Sequence, residues 1–355
     1  MKGFLKEFSI GSFELGEGRA PLLISETACA HDGSVDEAKH LADASADAGA
    51  DLIQLQVFRT DQQVPPSHSL RELLGRIELS DQEWADVFQH ARNTGVPVMA
   101  FVYDLPSLRV VLDQEVVALK LNSADLLNRP LLEACAESGL PVFLGTGAST
   151  FDEISQSLGC LSANGSDKVI LMHGVQDFPT NLGDARIDRV RILREVFGLP
   201  SGYGDHTDGD DPASRSIDLV ALGLGAYALE KHITLDRSAG KPDFQAALEP
   251  DDWKAWASTV RQAASALSSS PPVDLSDADK RYRVFQKKFA VASRPIKSGD
   301  QLDDTSVRFL RLEEEGHISA LAFDEMGQVM ATRDLDAWEM IRHADLAPAE
   351  GDSQG

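Results

Sequence analysis

The sequence has few thiols and few cations. Cys29, Cys135 and Cys160 are its whole cysteine complement in 355 residues. An odd number without paired spacing excludes a disulfide framework and a thiolate zinc site, and fits a reducing, cytoplasmic compartment. Lys and Arg number 33 against 57 Asp and Glu, a formal charge of -24, which argues against nucleic acids and anionic membranes as partners. The excess acid reads as solvated surface, of the kind that suits a salty cytoplasm, so an anionic substrate needs a locally basic pocket. No apolar stretch reaches membrane-spanning length, and the opening MKGFLKEFSI carries neither a sustained apolar core nor a cleavage site; a soluble protein is expected. Also missing are a G-x-G-x-x-G after a strand, a Walker loop and a nucleophile elbow, which leaves nucleotide and serine-hydrolase readings without their motifs.

What is present is a recurring alternation. Eight short apolar runs, beginning near residues 21, 50, 95, 116, 140, 168, 200 and 226, are separated by stretches with helical spacing. In the first of those stretches Ser34 is placed to cap a helix, Glu37 follows three residues later, and Gly49 ends it. Apolar strands alternating with helices predict an α/β fold with a closed parallel (β/α)8 barrel, the open doubly wound sheet being the alternative. The seventh run, PSGYGD, has little β-propensity. The pattern divides the chain into a barrel at 1–270, a Ser-, Pro- and acid-rich linker at 271–284, a small β-rich domain at 285–347 and a disordered tail at 348–355.

In such a barrel the carboxyl ends of the strands line the active site. The rim candidates are Glu26, Gln54, Gln56, Lys120, Asn122, Ser123, Asp125, Thr146, His173, Gln176, Asp205, His206, Glu230, Lys231 and His232. His206 and His232 end consecutive strands, so either they hold one divalent ion with open positions, suited to Lewis-acid chemistry, or each makes an ordinary rim hydrogen bond. Lys120 interrupts an apolar strand; it binds an anion, forms a Schiff base, or pairs with a carboxylate such as Asp125 or Glu26. GTGAST, containing Thr146, presents backbone N–H groups to an anion, or supplies a helix cap at Ser149 or Thr150.

The run ISETACAHDGSVDEAKHLADASADAGADLIQLQ, then GYGDHT, then LEKHITLDRSAGKPDFQAALEPDDW, and finally FAVASRPIKSGDQL resemble the sialic acid synthase family in the same order, over nearly the whole chain. That resemblance implies a barrel followed by an antifreeze-like (SAF) domain, in a domain-swapped homodimer. It implies condensation of phosphoenolpyruvate with an open-chain 2-acylamino sugar to a nine-carbon 2-keto acid, with release of phosphate. His206 and His232 would hold the divalent ion, usually manganese, with magnesium or cobalt as alternatives. Glu26, Gln56, Asp125 and Asp243 fall where the family handles the sugar and the protons, with Glu26, Asp125 and Lys120 as catalytic residues. Lys120 and Ser123 would hold the donor, alongside Gln54, Thr146 and Gln176. Arg311 falls near an arginine that the small domain contributes, although no Pro-Gly follows it here.

The departures concentrate on the phosphate side. Gln54 stands where the family has a lysine, MAFVY (including Met99) replaces T-P-F-S, Gly145 and Gly204 replace serines, Gln176 replaces an asparagine, and Asp125 replaces a glutamate. At about 1–3 kcal/mol per charged or buried hydrogen bond, such losses would weaken anion binding by several kcal/mol. Two other readings therefore stand beside the synthase: a metal-dependent aldolase-like enzyme using pyruvate or another non-phosphorylated donor, and a non-catalytic homologue that binds a sugar or a partner.

Overall fold

The computed structural model describes residues 3–267, 274–314 and 316–349. The chain divides into two compact units, Met1–Ser269 and Ser270–Gly355.

The first unit begins with a hairpin of β1 (Phe8–Ile10) and β2 (Phe13–Leu15). Eight parallel strands follow: β3 (Leu22–Glu26), β4 (Leu52–Val57), β5 (Val98–Val102), β6 (Leu119–Leu121), β7 (Val142–Gly145), β8 (Val169–His173), β9 (Ser201–Asp205) and β10 (Ala228–His232). They close into a barrel in chain order, with β10 pairing β3. The alternation of apolar strands and helices thus has the barrel as its outcome, and the open sheet is excluded. Phe8, Ile10 and Leu15 pack with Leu22, Leu52 and Ala228, so the hairpin floors the amino-terminal end of the lumen. Nothing in the pattern of the first residues marks this hairpin beforehand.

Helices cover the barrel where the caps dictate. The helix Val35–Asp47 starts at Ser34, whose hydroxyl accepts from the Glu37 N–H, and Gly49 turns the chain away at φ +87°. The weak seventh run forms a full strand for a steric reason. A Cβ at Gly202 would lie 2.5 Å from the Met172 sulfur and 2.7 Å from the Ala228 carbonyl oxygen, so only glycine lets β9 sit between β8 and β10.

Register carries the period-two alternation around the barrel. Glu26 pairs with Gln54, Gln54 with Met99, Phe101 with Lys120, Gly204 with Glu230, and His232 with Glu26. The opposite parity faces the helices. Lys231, with no exposed surface, bonds Asp205 and lies 3.2 Å from Asp218, which also accepts from the Trp256 indole at 2.8 Å. Burial acts to raise the Asp205 carboxyl, but the Lys231 ammonium and the Thr207 donors outweigh it and hold it below the ordinary range. Asp205 and Lys231, read from sequence as rim groups, are therefore a structural pair behind the barrel wall. His173 and Thr146 share that fate: His173 Nε2 bonds the Ala185 carbonyl at 2.8 Å, and the Thr146 hydroxyl donates to the Met172 carbonyl at 3.1 Å.

The second unit has its own core, built on Ala290, Ile296, Val307, Ile318, Phe323, Val329 and Ile341. Strands β11 (Lys288–Ala292) and β12 (Val307–Arg311) pair antiparallel, as do β13 (Val329–Ala331) and β14 (Leu346–Pro348), with a short helix at Ala320–Glu325. Within the stretch read as a linker, Asp277–Gln286 is helical, begun by a capping box between Ser276 and Asp279. Residues 271–273 of that stretch and 350–355 of the tail lie outside the described residues.

Replacing Lys231 by Met leaves two buried carboxylates facing each other. Stability is expected to fall by about 3–5 kcal/mol, read as a lower urea midpoint; an unchanged midpoint would show that the pair contributes nothing.

Candidate active site

The inward residues at the carboxyl ends of the strands surround a cleft. Three kinds of wall line it.

The first holds His206, just past β9, with Glu230 and His232 on β10. One ligand atom from each lies within 4.8 Å of the others. His206 Nδ1 bonds the Val175 carbonyl at 2.6 Å. A carbonyl only accepts, so Nδ1 carries the proton and Nε2 keeps its lone pair. Burial lowers the basicity of His206, and of His232 still further, where the neighbouring His206 adds to the effect. Both rings are thus neutral at neutral pH, the form that binds a metal. Phe178 backs them, its ring 4.4 Å from that of His206.

The second wall is ionic. Lys120 bonds both oxygens of Glu230, at 2.5 and 2.6 Å, stands 3.9 Å from Glu26, and lies over the Phe101 ring at 4.4 Å. Glu26 Oε1 accepts the Ala28 N–H at 2.6 Å, while its buried Oε2 has no partner. Burial, then the charge of Glu230, pushes the Glu26 carboxyl up to about 8 against the opposing pull of Lys120. Glu26 therefore carries a proton at neutral pH in a pocket where it can be donated. Asp243 completes this side, its carboxyl also raised by burial.

The third wall is neutral. Tyr103 accepts from the Gln56 amide and from Asn122 Nδ2, the latter at 3.2 Å, which leaves its O–H as remaining capacity to donate. Cys29 Sγ donates to Gln56 Oε1 at 3.2 Å, and Ser123, Gly145 and Gln176 close the rim.

Of the sequence-predicted residues, Glu26, Gln56, Lys120, Ser123, Gln176, His206, His232 and Asp243 meet in this cleft. Gln54 points inward one layer below Gln56, fully buried, with neither amide atom hydrogen-bonded. Asp125 sits in the turn Ser123–Asp125, accepting from Asn128 at 2.9 Å, and does not line the cleft. Lys120 takes its partner from Glu230 across the barrel rather than from Asp125. Thr150, not an anion, uses the end of GTGAST: it caps the helix Phe151–Ala163 through a capping box with Glu153. Arg311 is exposed on β12 of the second unit.

Glu230 was legible only as a rim group; the i, i+2 spacing to His232 puts both on one strand face, a signal that also adds it to the metal set. Tyr103 and Phe101 continue the inward parity of Met99, while nothing local in the sequence marks Phe178.

The sequence profile of the NeuB family matches residues 41–271. The chain belongs to the NeuB family. The resemblance read from the E-K-H-x-T-L-D-R and D-H-T elements is thereby borne out. This NeuB-family chain is 30% identical over 307 residues to an uncharacterized protein of Methanocaldococcus jannaschii, spanning 86% of this chain and 89% of that one. It is 26% identical over 337 residues to the N,N'-diacetyllegionaminic acid synthase of Campylobacter jejuni, covering 90% of this chain and 98% of the relative. Among solved structures, the N-acetylneuraminic acid (sialic acid) synthetase of Leptospira borgpetersenii serovar Hardjo-bovis, in complex with citrate, superposes with a TM-score of 0.73 at 26% identity, covering 79% of this chain and 96% of that one.

A reaction that draws on the Glu26 proton should hold a level kcat/KM up to about pH 8 and fall roughly tenfold per unit above it, since Glu26 ionises there. Glu26→Gln should abolish that limb along with most turnover. The sign for stability is the same: the folded value exceeds the ordinary 4.5, so the contribution is complete below 4.5 and is lost as pH rises through about 8. A pH–rate profile without a limb near 8 removes Glu26 as the donor.

Proposed function

We propose that this protein is a nonulosonic acid synthase that condenses phosphoenolpyruvate with an open-chain 2-acylamino sugar, forming a carbon–carbon bond and releasing phosphate. The observation that carries this reading is the convergence at one barrel mouth of His206, Glu230 and His232 with Lys120 and protonated Glu26. Membership of the NeuB family, with relatives named as legionaminic and pseudaminic acid synthases, supports it.

The donor set, two neutral imidazoles and a carboxylate, suits a borderline divalent ion such as manganese or cobalt, and suits magnesium, which prefers oxygen donors, less well. A divalent ion held there supplies Lewis-acid polarisation of a carbonyl oxygen. The chain's own groups do the rest. Lys120 and Ser123 bind the anionic donor, and Gln56, Gln176 and Asp243 orient the polyhydroxylated acceptor. Glu26 gives its proton to the oxygen that was the aldehyde carbonyl and recovers one from the water that adds to C2 of the former enol phosphate. The C2–O bond to phosphate then breaks as the new C2 hydroxyl becomes the ketone, its proton leaving with the phosphate, so the proton count balances over the cycle.

The second unit we read as an antifreeze-like domain of a domain-swapped homodimer, with Arg311 as a substrate-binding residue. Cys29, Cys135 and Cys160 are free thiols, which supports a cytoplasmic setting. No described helix is long and apolar enough to cross a membrane.

One observation favours a second reading, a donor without phosphate such as pyruvate. Lys120 is the one cation among the described residues lining the cleft, and Glu230 already engages it. A Cβ at Gly145 would lie 2.9 Å from the Ser123 nitrogen, and one at Gly204 would face the Glu230 carboxylate at 3.4 Å. Gly145 therefore has no room for a serine unless the backbone shifts, whereas the contact at Gly204 is an ordinary one.

Calorimetric titration with phosphoenolpyruvate in the presence of Mn2+ separates the two. Saturable binding, with phosphate release on adding N-acyl aldoses, is expected. Losing an outer-sphere partner alone costs metal sites about 10–100-fold, so His232→Ala should weaken Mn2+ binding at least about 100-fold and abolish turnover. A protein that holds Mn2+, ignores phosphoenolpyruvate and turns over with pyruvate overturns the synthase reading.

A further inference from the structure

Glu230 has two claimants. Its carboxylate belongs to the cluster with His206 and His232, yet both of its oxygens are held by Lys120 at 2.5 and 2.6 Å. The pair is buried, Glu230 at 1% exposure and Lys120 at 8%. Each oxygen keeps a second lone pair, but a cation seated on Glu230 would share one buried carboxylate with the Lys120 ammonium, and the two positive charges would compete for it. The ammonium then needs another partner, because a buried unpaired charge is strongly disfavoured. Glu26 is the other carboxyl within reach, but its free Oε2 stands 3.9 Å from the ammonium, beyond hydrogen-bond distance, and its Oε1 is held by the Ala28 N–H. The Phe101 face keeps the ammonium at the cleft while it changes partner. An arriving anion is the partner that fits.

We infer that Glu230 is a shared carboxylate that couples the two halves of the site, so that divalent-cation binding frees Lys120 for an anionic substrate and anion binding frees Glu230 for the cation. This rests on the proposed reading of the cleft as a cation-plus-anion site. Glu230 thereby acts as a positioning residue for Lys120 and as a gate on anion affinity. In the absence of cation the gate is shut, and the site discriminates against anions although it contains a lysine. Linkage makes the effect reciprocal, with the factor by which Mn2+ tightens the anion equal to the factor by which the anion tightens Mn2+; couplings of this kind are typically about 5–150-fold.

The first test needs no substrate. Mn2+ affinity is measured by calorimetry, with free Mn2+ followed by electron paramagnetic resonance, on the full-length wild type, Lys120→Met, Glu230→Gln and the double variant. Lys120→Met is expected to tighten Mn2+ at least about fivefold in the wild-type background, at the low end of such couplings, and by less than about twofold in the Glu230→Gln background. Equal tightening in both backgrounds means simple charge removal, and no tightening means that Lys120 does not compete; either overturns the inference. The second measurement uses the wild type alone and remains valid if Lys120→Met fails to fold. Mn2+ affinity is titrated against phosphoenolpyruvate, pyruvate and inorganic phosphate in turn. At least one anion should tighten Mn2+ by about fivefold or more, and Mn2+ should tighten that anion equally. A response to pyruvate but not to phosphoenolpyruvate corrects the donor and leaves the coupling standing. No response to any anion, or no Mn2+ binding at all, overturns the coupling.

Discussion

A closed ring of eight parallel strands sends alternate side chains into one lumen, and everything chemical in this protein follows from which parity a residue occupies. Inward positions at the amino-terminal end are Leu22, Leu52, Ala118, Phe143, Ile170 and Ala228, a dry plug sealed by the hairpin. Inward positions at the other end are Glu26, Gln56, Lys120 and Glu230, with Gly204 in register with Glu230 and with His206 and His232 at the lip. A one-residue slip in any strand would exchange catalytic candidates for the groups packed against the helices. Lys231 and Glu230, adjacent in sequence, illustrate the separation: one anchors a buried ion cluster behind the wall, the other faces the cleft.

Within the cleft the electrostatics are frugal. Glu26, Glu230 and Asp243 are opposed by Lys120 alone among the described lining residues. Burial and mutual repulsion resolve part of the excess by keeping Glu26 protonated, and the contact with Lys120 neutralises Glu230. Both imidazoles stay neutral because their surroundings will not solvate a charge. The result is a site with a stored proton, a ready set of metal donors and a restrained lysine, surrounded by neutral hydrogen-bonding groups from Gln56, Tyr103 and Asn122.

Two glycines near the cleft acquire a physical meaning only in three dimensions. Gly145 lies against the backbone of residues 121–123, and Gly204 lies beside the carboxylate of Glu230. Gln54 points inward but is buried below the cleft with both amide atoms unsatisfied. At Gly145 the space that a serine Cβ would need is occupied by neighbouring backbone, whereas at Gly204 it would make only ordinary contact with Glu230.

Much was legible from the chain alone. Eight apolar runs between capped helical stretches determine a barrel, because strands buried on both faces and joined by helices have few other ways to pair. Glu26, Lys120, His206 and His232 were readable as rim groups since each sits at or near the end of such a run. Family membership followed from elements that lie far apart in sequence yet in fixed order. What the tertiary structure alone decided was partnership. That Lys120 meets Glu230, 110 residues away, rather than Asp125 depends on ring closure bringing non-adjacent strands face to face across the lumen. That Thr146, His173, Asp205 and Lys231 leave the site depends on register, which composition does not encode. The weak glycine-rich strand is explained by the Met172 sulfur and the Ala228 carbonyl it must pass between, contacts that exist only once the barrel is closed.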